Sequence, residues 1–378
     1  MNILIIGSGP VGGILASCLS DLGLRVVLVD KVDPAVSLAE EFDGRTSAIA
    51  KGSLDYLASI GLSDIFKTHA EPIKQIRVSE LDSHNFTHFD SPTPMGYIIE
   101  NRDLRQYLYD NISSRDNIEW LAPATVEDLQ TNTARINGKT YQFDLCIAAD
   151  GRNSVTREHA GIKTHGWSYD QTAFVGVIEH SLPHNNIAFE HFTPSGPIAF
   201  LPMQNNRSSL VWSVASNVAP DVAGLSNEDF CSILQERFGN YLGHLKIANR
   251  LWQYPLSAQY ATSYYAPRLA LAGDAAHTIH PVAGQGLNLG IRDCEVLSKL
   301  IAKQISLGLD IGSTIMLEQY QKQRMFDNAS MLTICDSLVK GYSNNNPILN
   351  FIRGKALTIA NTLPPLRDLM VKHATGTI

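Results

Sequence analysis

Short apolar runs, each ending in glycine or a polar residue, dominate the start of this 378-residue chain. Residues 2–6 read Asn-Ile-Leu-Ile-Ile and residues 25–29 read Arg-Val-Val-Leu-Val, a pattern typical of strands buried in a parallel sheet. Residues 11–22, between these runs, have apolar side chains at helical spacing. The pattern therefore predicts strand, glycine turn, helix and strand over residues 2–30.

The rest of the chain divides by the period of its apolar residues. Short alternating runs separated by turn residues predict an antiparallel sheet from about 170 to 261, with its clearest strands at 198–203 and 209–214. The other predicted elements are helices at 46–66 and 101–112, strand-like pieces at 71–99, a buried strand at 143–149, and helix from 284 almost to the C-terminus.

Composition narrows the class of protein. Hydrophobic residues make up 44% and charged residues 18%, which is typical of a globular enzyme, and the net charge of −7 argues against a nucleic-acid partner. Five scattered cysteines predict a reduced, cytosolic protein without a zinc or disulfide framework. No apolar run is long enough to cross a bilayer, so membrane contact would be peripheral, at the inner membrane surface. The apolar N-terminus lacks a basic region or cleavage site and is interpreted as a strand.

A glycine motif follows the first predicted strand. Gly7, Gly9 and Gly12 fit G-x-G-x-x-G at the start of a helix, a pattern that allows a tight turn and lets backbone approach a pyrophosphate. Asp30 ends the second strand about 20 residues on, where an acid binds the adenosine ribose. The motif predicts dinucleotide binding; the alternative is a glycine turn in an unrelated α/β sheet.

A second candidate segment follows the predicted strand at 143–149. Asp150 and Gly151 come directly after this strand, and Ser154 lies at a predicted helix start. The segment is interpreted as a further cofactor contact. The alternative is a polar turn in which serine caps the helix.

The third segment indicates most specifically which cofactor is bound. After the apolar run 269–272, Gly273 and Asp274 lead through a Pro/Gly turn to a helix that begins near Gly284. An acid at this strand end can accept hydrogen bonds from ribityl hydroxyls, which a nicotinamide cofactor would not require. The helix N-terminus can face the flavin pyrimidine edge, and Gly286 lets backbone come close to a flat ring. The three segments together predict a flavin.

These segments lie at both ends of the chain, with the sheet between them. The predicted fold is therefore α/β, a discontinuous Rossmann-like FAD-binding domain with an inserted antiparallel-sheet substrate domain and a helical C-terminus. The predicted boundaries are 1–70, 100–165 and 262–310 for the FAD-binding domain, 71–99 and 166–261 for the substrate domain, and 311–378 for the C-terminal helical segment.

Three such segments in this order resemble the FAD-dependent aromatic hydroxylases, which are single-component flavoprotein monooxygenases, over nearly the whole chain. The resemblance implies that the first motif holds the ADP part of FAD, that the Asp-Gly segment contacts FAD and takes part in NAD(P)H use, and that the Gly-Asp segment holds the ribityl chain. It also implies that NAD(P)H and O2 are co-substrates, with one oxygen atom transferred to a phenol.

Residues 280–293 are similar to the ubiquinone-biosynthesis hydroxylases, supported by the runs 42–45 and 192–203. The Phe-Asp-Gly-Arg run at 42–45 most resembles the branch acting on 2-polyprenyl-6-methoxyphenol. The run 98–101 resembles instead sister hydroxylases that act at another ring carbon. This resemblance implies flavin-binding residues in addition to the glycines and acids named above. They are Arg45, Asn101, Leu287 and Asn288, with Pro281 and Gly284 in a flavin-facing catalytic loop.

The middle sheet is the predicted substrate wall. Phe200, Pro202 and Trp212 are candidates for it, although apolar strand residues are more often plain core. No general base for the phenol is assigned from spacing. His277 and His280 lack a third ligand, so no metal site is predicted.

The predicted partner is a polyprenylated phenol, bound while the protein docks at a membrane or in a ubiquinone-biosynthesis complex. The basic and apolar run 351–357 is a candidate docking segment, with packing onto the cofactor domain as the alternative. Other functions stay open: hydroxylation of another position or aromatic, a prenyl reductase or halogenase on the same fold, or a prenyl-lipid binding protein without flavin. A plain NAD-dependent dehydrogenase is disfavoured because it would have no use for Asp274.

Overall fold

The computed structural model describes residues 1–39, 44–80, 87–342 and 375–376. Phe42, Asp43 and the predicted docking segment 351–357 lie outside these residues. The α-helices of the described part are α1 (Pro10–Asp21), α2 (Pro34–Ala39), α3 (Lys51–Ser59), α4 (Ile65–Thr68), α5 (Asn101–Ser113), α6 (Val155–His159), α7 (Ala219–Ala223), α8 (Asn227–Phe238), α9 (Gly286–Ser306) and α10 (Thr314–Tyr342).

The strands fall into four sheets. In chain order they are β1 (Asn2–Ile6), β2 (Arg25–Val29), β3 (Thr46–Ala50), β4 (Ala70–Ile73), β5 (Gln75–Glu80), β6 (Thr87–Asp90), β7 (Gly96–Glu100), β8 (Ile118–Leu121), β9 (Val126–Leu129), β10 (Thr133–Ile136), β11 (Lys139–Gln142), β12 (Leu145–Ala148), β13 (Thr164–His180), β14 (Ile187–Thr193), β15 (Gly196–Met203), β16 (Arg207–Ala215), β17 (Leu245–Ile247), β18 (Trp252–Ala261), β19 (Tyr265–Ala266), β20 (Leu269–Leu271) and β21 (His277–Thr278).

The first sheet is built from three separate parts of the chain. Its order is β19-β20-β12-β1-β2-β8, and every neighbouring pair is parallel except β19 with β20. β12 and β20 are buried along their whole length, as expected for strands covered on both faces. The mixed α/β fold with C-terminal helices is as predicted. The exact domain boundaries stay a prediction.

The second large sheet has the order β21-β18-β13-β16-β15-β14-β5-β6, with β17 also on β13. It is antiparallel except where β14 runs parallel to β5. The predicted segment 71–99 divides between two sheets, because β5 and β6 join this one while β4 and β7 pair with β3. A separate antiparallel sheet contains β9, β10 and β11.

The helix predicted over 46–66 is partly wrong. Residues 46–50 form β3, which pairs antiparallel with β7, and helix begins only at Lys51. The run Thr-Ser-Ala-Ile-Ala is compatible with a strand as well as with a helix. A partner strand about fifty residues away decides its conformation.

Side chains alternate between the two faces of the large sheet. One face packs on α8, where Phe174, Phe200 and Trp212 meet Phe230 and Phe238 in a closed core. We call the opposite side the inner face, because it packs against the β3-β7-β4 sheet, α9 and α10. The inner face therefore lies between the large sheet and these covering elements.

Candidate active site

The glycine-rich turn joins β1 to α1. Gly7 has a φ of +102°, and a Cβ added there would lie 2.3 Å from the carbonyl oxygen of Ala149. A Cβ on Gly12 would lie 1.9 Å from the carbonyl oxygen of Gly7. A Cβ on Gly9, at the start of α1, would meet nothing within 4 Å. The first and third glycines are therefore required by packing, while the second leaves the helix N-terminus open to an anionic ligand.

Asp30 lies beside the same turn. Its carboxylate accepts hydrogen bonds from the Ser8 backbone N–H at 2.6 Å, the Ser8 hydroxyl at 2.8 Å and the Val32 N–H at 2.9 Å. A carboxylate has about four lone-pair sites, so one site is left for a ribose hydroxyl. The binding of ribose by Asp30 stays a prediction.

The Asp-Gly segment follows β12. One Asp150 oxygen accepts hydrogen bonds from the Thr156 N–H at 3.1 Å and hydroxyl at 2.9 Å, while the other is buried without a partner among the described residues. Gly151 has a φ of +83° and open space beside it. The Ser154 hydroxyl caps α6 by accepting from the Arg157 N–H at 2.9 Å. The helix-cap interpretation is therefore right for the serine, but it leaves one aspartate oxygen unexplained.

The Gly-Asp segment forms a short 3-10 helix after β20. Gly273 has a φ of +59°, and a Cβ there would lie 2.9 Å from Val11 of α1. The Asp274 side chain is solvent-accessible, yet the surrounding protein desolvates it and raises the pKa of its carboxyl, against the opposing charge of His277. The carboxylate is therefore accessible to a ligand just after the carboxyl end of β20.

The predicted flavin-facing loop precedes α9. Pro281 is exposed and leads into the 3-10 helix Val282–Gly284. Gly284 has a φ of +62°, and a Cβ there would lie 2.9 Å from a side chain of β3. Gly286 begins α9 with open space beside it, and Leu287 packs against the cofactor-domain core. The loop therefore presents a helix N-terminus that side chains do not block.

Asn288 has a positioning role in this loop. Its side-chain oxygen accepts from the Ala50 N–H at 2.8 Å, and its NH2 group donates to the carbonyl oxygens of Ala48 at 2.7 Å and Gly284 at 3.1 Å. Both amide hydrogens are used in holding β3 against the loop. The side chain therefore fixes the loop against β3, and its contact with the cofactor stays a prediction.

The three segments meet at one edge of the parallel sheet. β1, β12 and β20 are adjacent and parallel, so Gly7, Asp150 and Gly273 follow their carboxyl ends side by side. Val11 of α1, in the first segment, packs closely against α9, which follows the third segment. A Cβ added to Gly290 of α9 would lie 2.6 Å from the Val11 side chain. Ligands of open α/β sheets bind at the carboxyl ends of the strands.

The two other predicted flavin-binding residues, Arg45 and Asn101, lie at the ends of β3 and β7. Asn101 begins α5, its side-chain oxygen accepts from the Ser47 hydroxyl at 2.6 Å, and its N–H donates to the Arg45 carbonyl at 3.1 Å. The exposed Arg45 guanidinium lies 5.9 Å from the Tyr254 ring centroid on the inner face. Its charge also partly offsets the burial that raises the pKa of Asp274. Arg45 and Asp274 therefore lie within electrostatic reach of each other.

These observations fit a flavin dinucleotide. Gly9, Gly151 and Gly286 leave backbone open where three loops converge, and the Asp150 oxygen is a buried acceptor without a protein partner. Asp274 offers an accessible acceptor after β20. A pyrophosphate suits a helix N-terminus, and hydroxyls of a ribityl chain suit carboxylates.

Comparison with known proteins identifies the family. The sequence model of the FAD binding domain family matches residues 1–330. The chain belongs to this family. The flavoprotein is 41% identical to ubiquinone hydroxylase UbiL of Rhodospirillum rubrum, over 100% of this chain and 90% of that protein. It is also 32% identical to 3-demethoxyubiquinol 3-hydroxylase of Escherichia coli, over 99% of this chain and 98% of that protein.

Solved structures agree on the fold. PqsL of Pseudomonas aeruginosa, a probable FAD-dependent monooxygenase, has a TM-score of 0.80 at 21% identity, covering 91% of this chain and 97% of that one. HpxO of Klebsiella pneumoniae complexed with FAD and uric acid has a TM-score of 0.77 at 17% identity, covering 99% and 96%.

A buried polar network behind the Gly-Asp segment was missed from sequence. Asp293 of α9 is fully buried and accepts hydrogen bonds from the Gly273 N–H at 2.9 Å, from His277 Nε2 at 2.6 Å and from Arg324 Nε at 2.6 Å. It occurs between Leu289 and Leu297 at helical spacing, where an apolar residue is expected. An acid at a position where the helical pattern expects an apolar residue is the sequence signal that could have indicated this network.

The two histidines of this segment have structural partners. His277 pairs with Asp293. His280 is fully buried, accepts from the Val282 N–H at 3.0 Å and lies 3.2 Å from the Gln171 side-chain oxygen, and burial lowers its pKa to about 4. His280 is therefore neutral at physiological pH. Among the described residues, no group of three ligands is arranged to hold a metal ion.

The predicted substrate wall needs correction. Phe200 and Trp212 are buried in the closed core against α8, with exposed fractions of 0% and 1%. Pro202 is also buried and has the same strand parity as Phe200. Side-chain alternation puts Leu201 and Val211 of the same strands on the inner face instead.

Two further findings concern the helices and the cysteines. Within residues 1–39, 44–80, 87–342 and 375–376, no helix has the length and apolar character needed to cross a membrane. All five cysteines are buried and unpaired.

Proposed function

We propose that this chain is an FAD- and NAD(P)H-dependent monooxygenase that hydroxylates the aromatic ring of a polyprenylated phenol in ubiquinone biosynthesis. The observation that carries the proposal is the convergence of three cofactor segments beside the inner face. The similarity to the ubiquinone hydroxylase of Rhodospirillum rubrum and to the 3-demethoxyubiquinol 3-hydroxylase of Escherichia coli supports it.

The residues have separate tasks in this proposal. Gly9 and Asp30 hold the ADP part of the cofactor, and Asp274 holds the ribityl chain. The N-terminus of α9 at Gly286 faces the pyrimidine edge, where its dipole stabilises added negative charge by about 0.3–1 kcal/mol. Bound FAD would supply the redox chemistry, with electrons from NAD(P)H and one oxygen atom from O2.

The inner face orients the substrate and excludes water. Val175, Leu256 and Ala173 form an apolar cluster there, with Val211 and Tyr254 packed against it. A neutral aromatic ring suits such a wall. Arg45 lies over the Tyr254 ring of this wall and is also within electrostatic reach of Asp274. The wall supports a phenol with a hydrocarbon tail over a charged substrate.

The identity of the ring rests on finer features. The 42–45 run supports 2-polyprenyl-6-methoxyphenol, while the relative from Escherichia coli is named for the 3-position of a demethoxyubiquinol. We propose 2-polyprenyl-6-methoxyphenol as the first substrate to test, with a neighbouring ring position as the alternative.

A long prenyl tail requires a membrane or a carrier. Because each buried CH2 group contributes about 0.8 kcal/mol, complete removal of the tail from lipid would cost tens of kcal/mol. We therefore propose that the enzyme binds the ring while docked at a membrane surface or in a complex. Flotation of the protein with vesicles that contain prenylphenol tests this, and absence from the vesicle fraction argues against docking.

The central test is made on purified protein. Tightly bound FAD, reduction by NADH or NADPH, and O2-dependent addition of one oxygen atom to a short-tailed prenylphenol are the expected results. A colourless protein that binds prenylphenol would favour a lipid-binding function. Mass spectrometry of quinone-pathway lipids from cells that lack the gene then identifies the ring carbon, because the phenol short of one oxygen accumulates.

A further inference from the structure

Glu190 is an acid in an apolar row of the inner face. It pairs with Val78 of β5 and Ala199 of β15, and Ala199 pairs in turn with Val211, which pairs with Val175. Residues paired in register share one face of a sheet. Glu190 is therefore the one charged member of this five-residue row.

This row lies between two covered rows. On one side, Ala188 and Met203 pack on the β3-β7-β4 sheet. On the other side, Phe192 packs on α10 and on Val282 of the flavin-facing loop. Glu190, Val78 and Val211 are only half-buried. The row is therefore partly accessible between two covered rows, on the face of the sheet that also packs against the predicted flavin-facing loop.

The Glu190 carboxylate has no hydrogen bond or ion pair with any residue in the described ranges. Burial alone raises its pKa to about 8. An isolated carboxylate in apolar surroundings costs stability, so a site selected only for packing would not contain one. A carboxylate that lacks a protein partner is available to a substrate hydroxyl.

The titratable groups on the neighbouring elements leave Glu190 isolated. Cys335 of α10 is buried, and its thiol pKa is raised to about 12 by burial and then by Glu190. Asp336, next along α10, accepts from Trp167 at 3.1 Å and pairs with Lys340. His280 of the loop before α9 is engaged with Gln171.

We propose that Glu190 is the catalytic base that accepts the proton of the substrate's phenolic hydroxyl. The inference rests on the proposed function, since it assumes a phenol on this face. In the step, the phenolic O–H bond breaks, its electron pair stays on oxygen, and a new O–H bond forms on the carboxylate. The phenolate has higher electron density at the ring carbons that receive oxygen. The proton returns to the product hydroxyl or to water afterwards, so no oxidant or reductant is consumed.

The raised pKa of Glu190 assists this transfer. A phenol has a pKa of about 10, so proton transfer to an ordinary carboxylate is unfavourable by more than about 100,000-fold. With a pKa of about 8, Glu190 reduces that ratio to about 100-fold. A base is most effective when its pKa lies near the working pH.

The test compares the FAD-loaded wild type with Glu190→Gln, Glu190→Asp and the matched control Glu179→Gln. Glu179 is exposed on β13 of the same sheet and pairs with Lys246. The probe is a methoxyphenol with a short prenyl tail. The readouts are kcat/KM for hydroxylation across pH, and the ultraviolet absorbance of bound phenolate under anaerobic conditions. FAD content and melting temperature check that each variant is folded.

For the wild type we expect kcat/KM to rise with pH through an apparent pKa of about 8. Glu190→Gln should lose that rise, form no bound phenolate and fall by about 100- to 10,000-fold in kcat/KM. Glu190→Asp should retain a pH-dependent rise at lower rate, and Glu179→Gln should match the wild type.

Two other outcomes are distinguishable. If folded Glu190→Gln hydroxylates the probe within about twofold of the wild type and with the same pH profile, the base assignment is overturned while the hydroxylase function stands. If the wild type oxidises NAD(P)H but hydroxylates no phenol, the proposed function and the base assignment both fail.

Discussion

Replacement of Asp293 by Asn tests the buried network behind the Gly-Asp segment. Asp293 is fully buried, and its two oxygens are shared by Gly273, His277 and Arg324. Burial by itself would raise the pKa of this carboxyl, but the charges of His277 and Arg324 outweigh burial and lower it to about 2. Asn keeps the shape of the side chain and removes the charge.

Two magnitudes follow from this geometry. Removing one partner of a buried ion pair costs about 3–5 kcal/mol, here because the Arg324 charge stays buried, with 4% of its side chain exposed.

The second magnitude is the pH dependence of the stability that Asp293 contributes. The pKa is lower in the folded protein than its ordinary 3.8, so the carboxylate contributes stability above about pH 4 that is lost as pH falls towards 2. At about 1.4 kcal/mol per pH unit, this contribution is about 2–3 kcal/mol.

The assay is urea unfolding of wild type and Asp293→Asn, with and without FAD, at about pH 7 and about pH 3. The variant should be less stable at the higher pH, and its deficit should shrink at the lower pH. Asp310→Asn is the matched control, because Asp310 pairs with Arg268 at the surface and should cost less than about 1 kcal/mol. A deficit for Asp293→Asn no larger than that of the control would refute the reasoning.

The remaining predictions concern three elements of the site. Gly12→Ala should prevent stable folding, because its Cβ would lie 1.9 Å from a carbonyl oxygen, whereas Gly9→Ala should fold and weaken FAD affinity by about tenfold or more, measured by flavin fluorescence. Trp212→Ala should lower the free energy of unfolding by about 3–5 kcal/mol without raising KM for the phenol, and a raised KM would return Trp212 to the substrate wall. Asn288→Ala leaves the Ala50 N–H and the Ala48 carbonyl unpaired and should cost about 2–4 kcal/mol in denaturant unfolding, with FAD affinity reduced; unchanged affinity would contradict its positioning role.

The cofactor segments could be predicted because their information is local. The apolar run of β1, the glycines after it and Asp30 at the end of β2 lie within thirty residues. Parallel strands bring their carboxyl ends to one edge, so three such segments converge whatever connects them. The observed φ of +102° at Gly7 and the contact of Gly12 with it follow from the same motif.

The 46–66 segment could not be predicted in the same way. Five of its residues form a strand because β7 pairs with them and because Asn288 holds the Ala50 N–H and Ala48 carbonyl from 238 or more positions along the chain. The resemblance predicts that Asn288 binds the cofactor, but its hydrogen bonds to β3 could not be predicted from sequence. Which backbone it holds depends on the packing of α9 against β3.

The amino-acid sequence by itself determined the cofactor class, the order of the segments and the strands of the inserted sheet, because glycine requirements and apolar periodicity are properties of neighbouring residues. Tertiary structure alone decided which face of that sheet packs against the loop before α9 and the β3-β7-β4 sheet. Both faces of β15 are apolar, so sequence cannot distinguish Phe200 from Leu201. Only packing shows that Phe200 faces α8, and that Glu190 lies unpaired on the inner face, because cross-strand register and the covering elements come from distant parts of the chain.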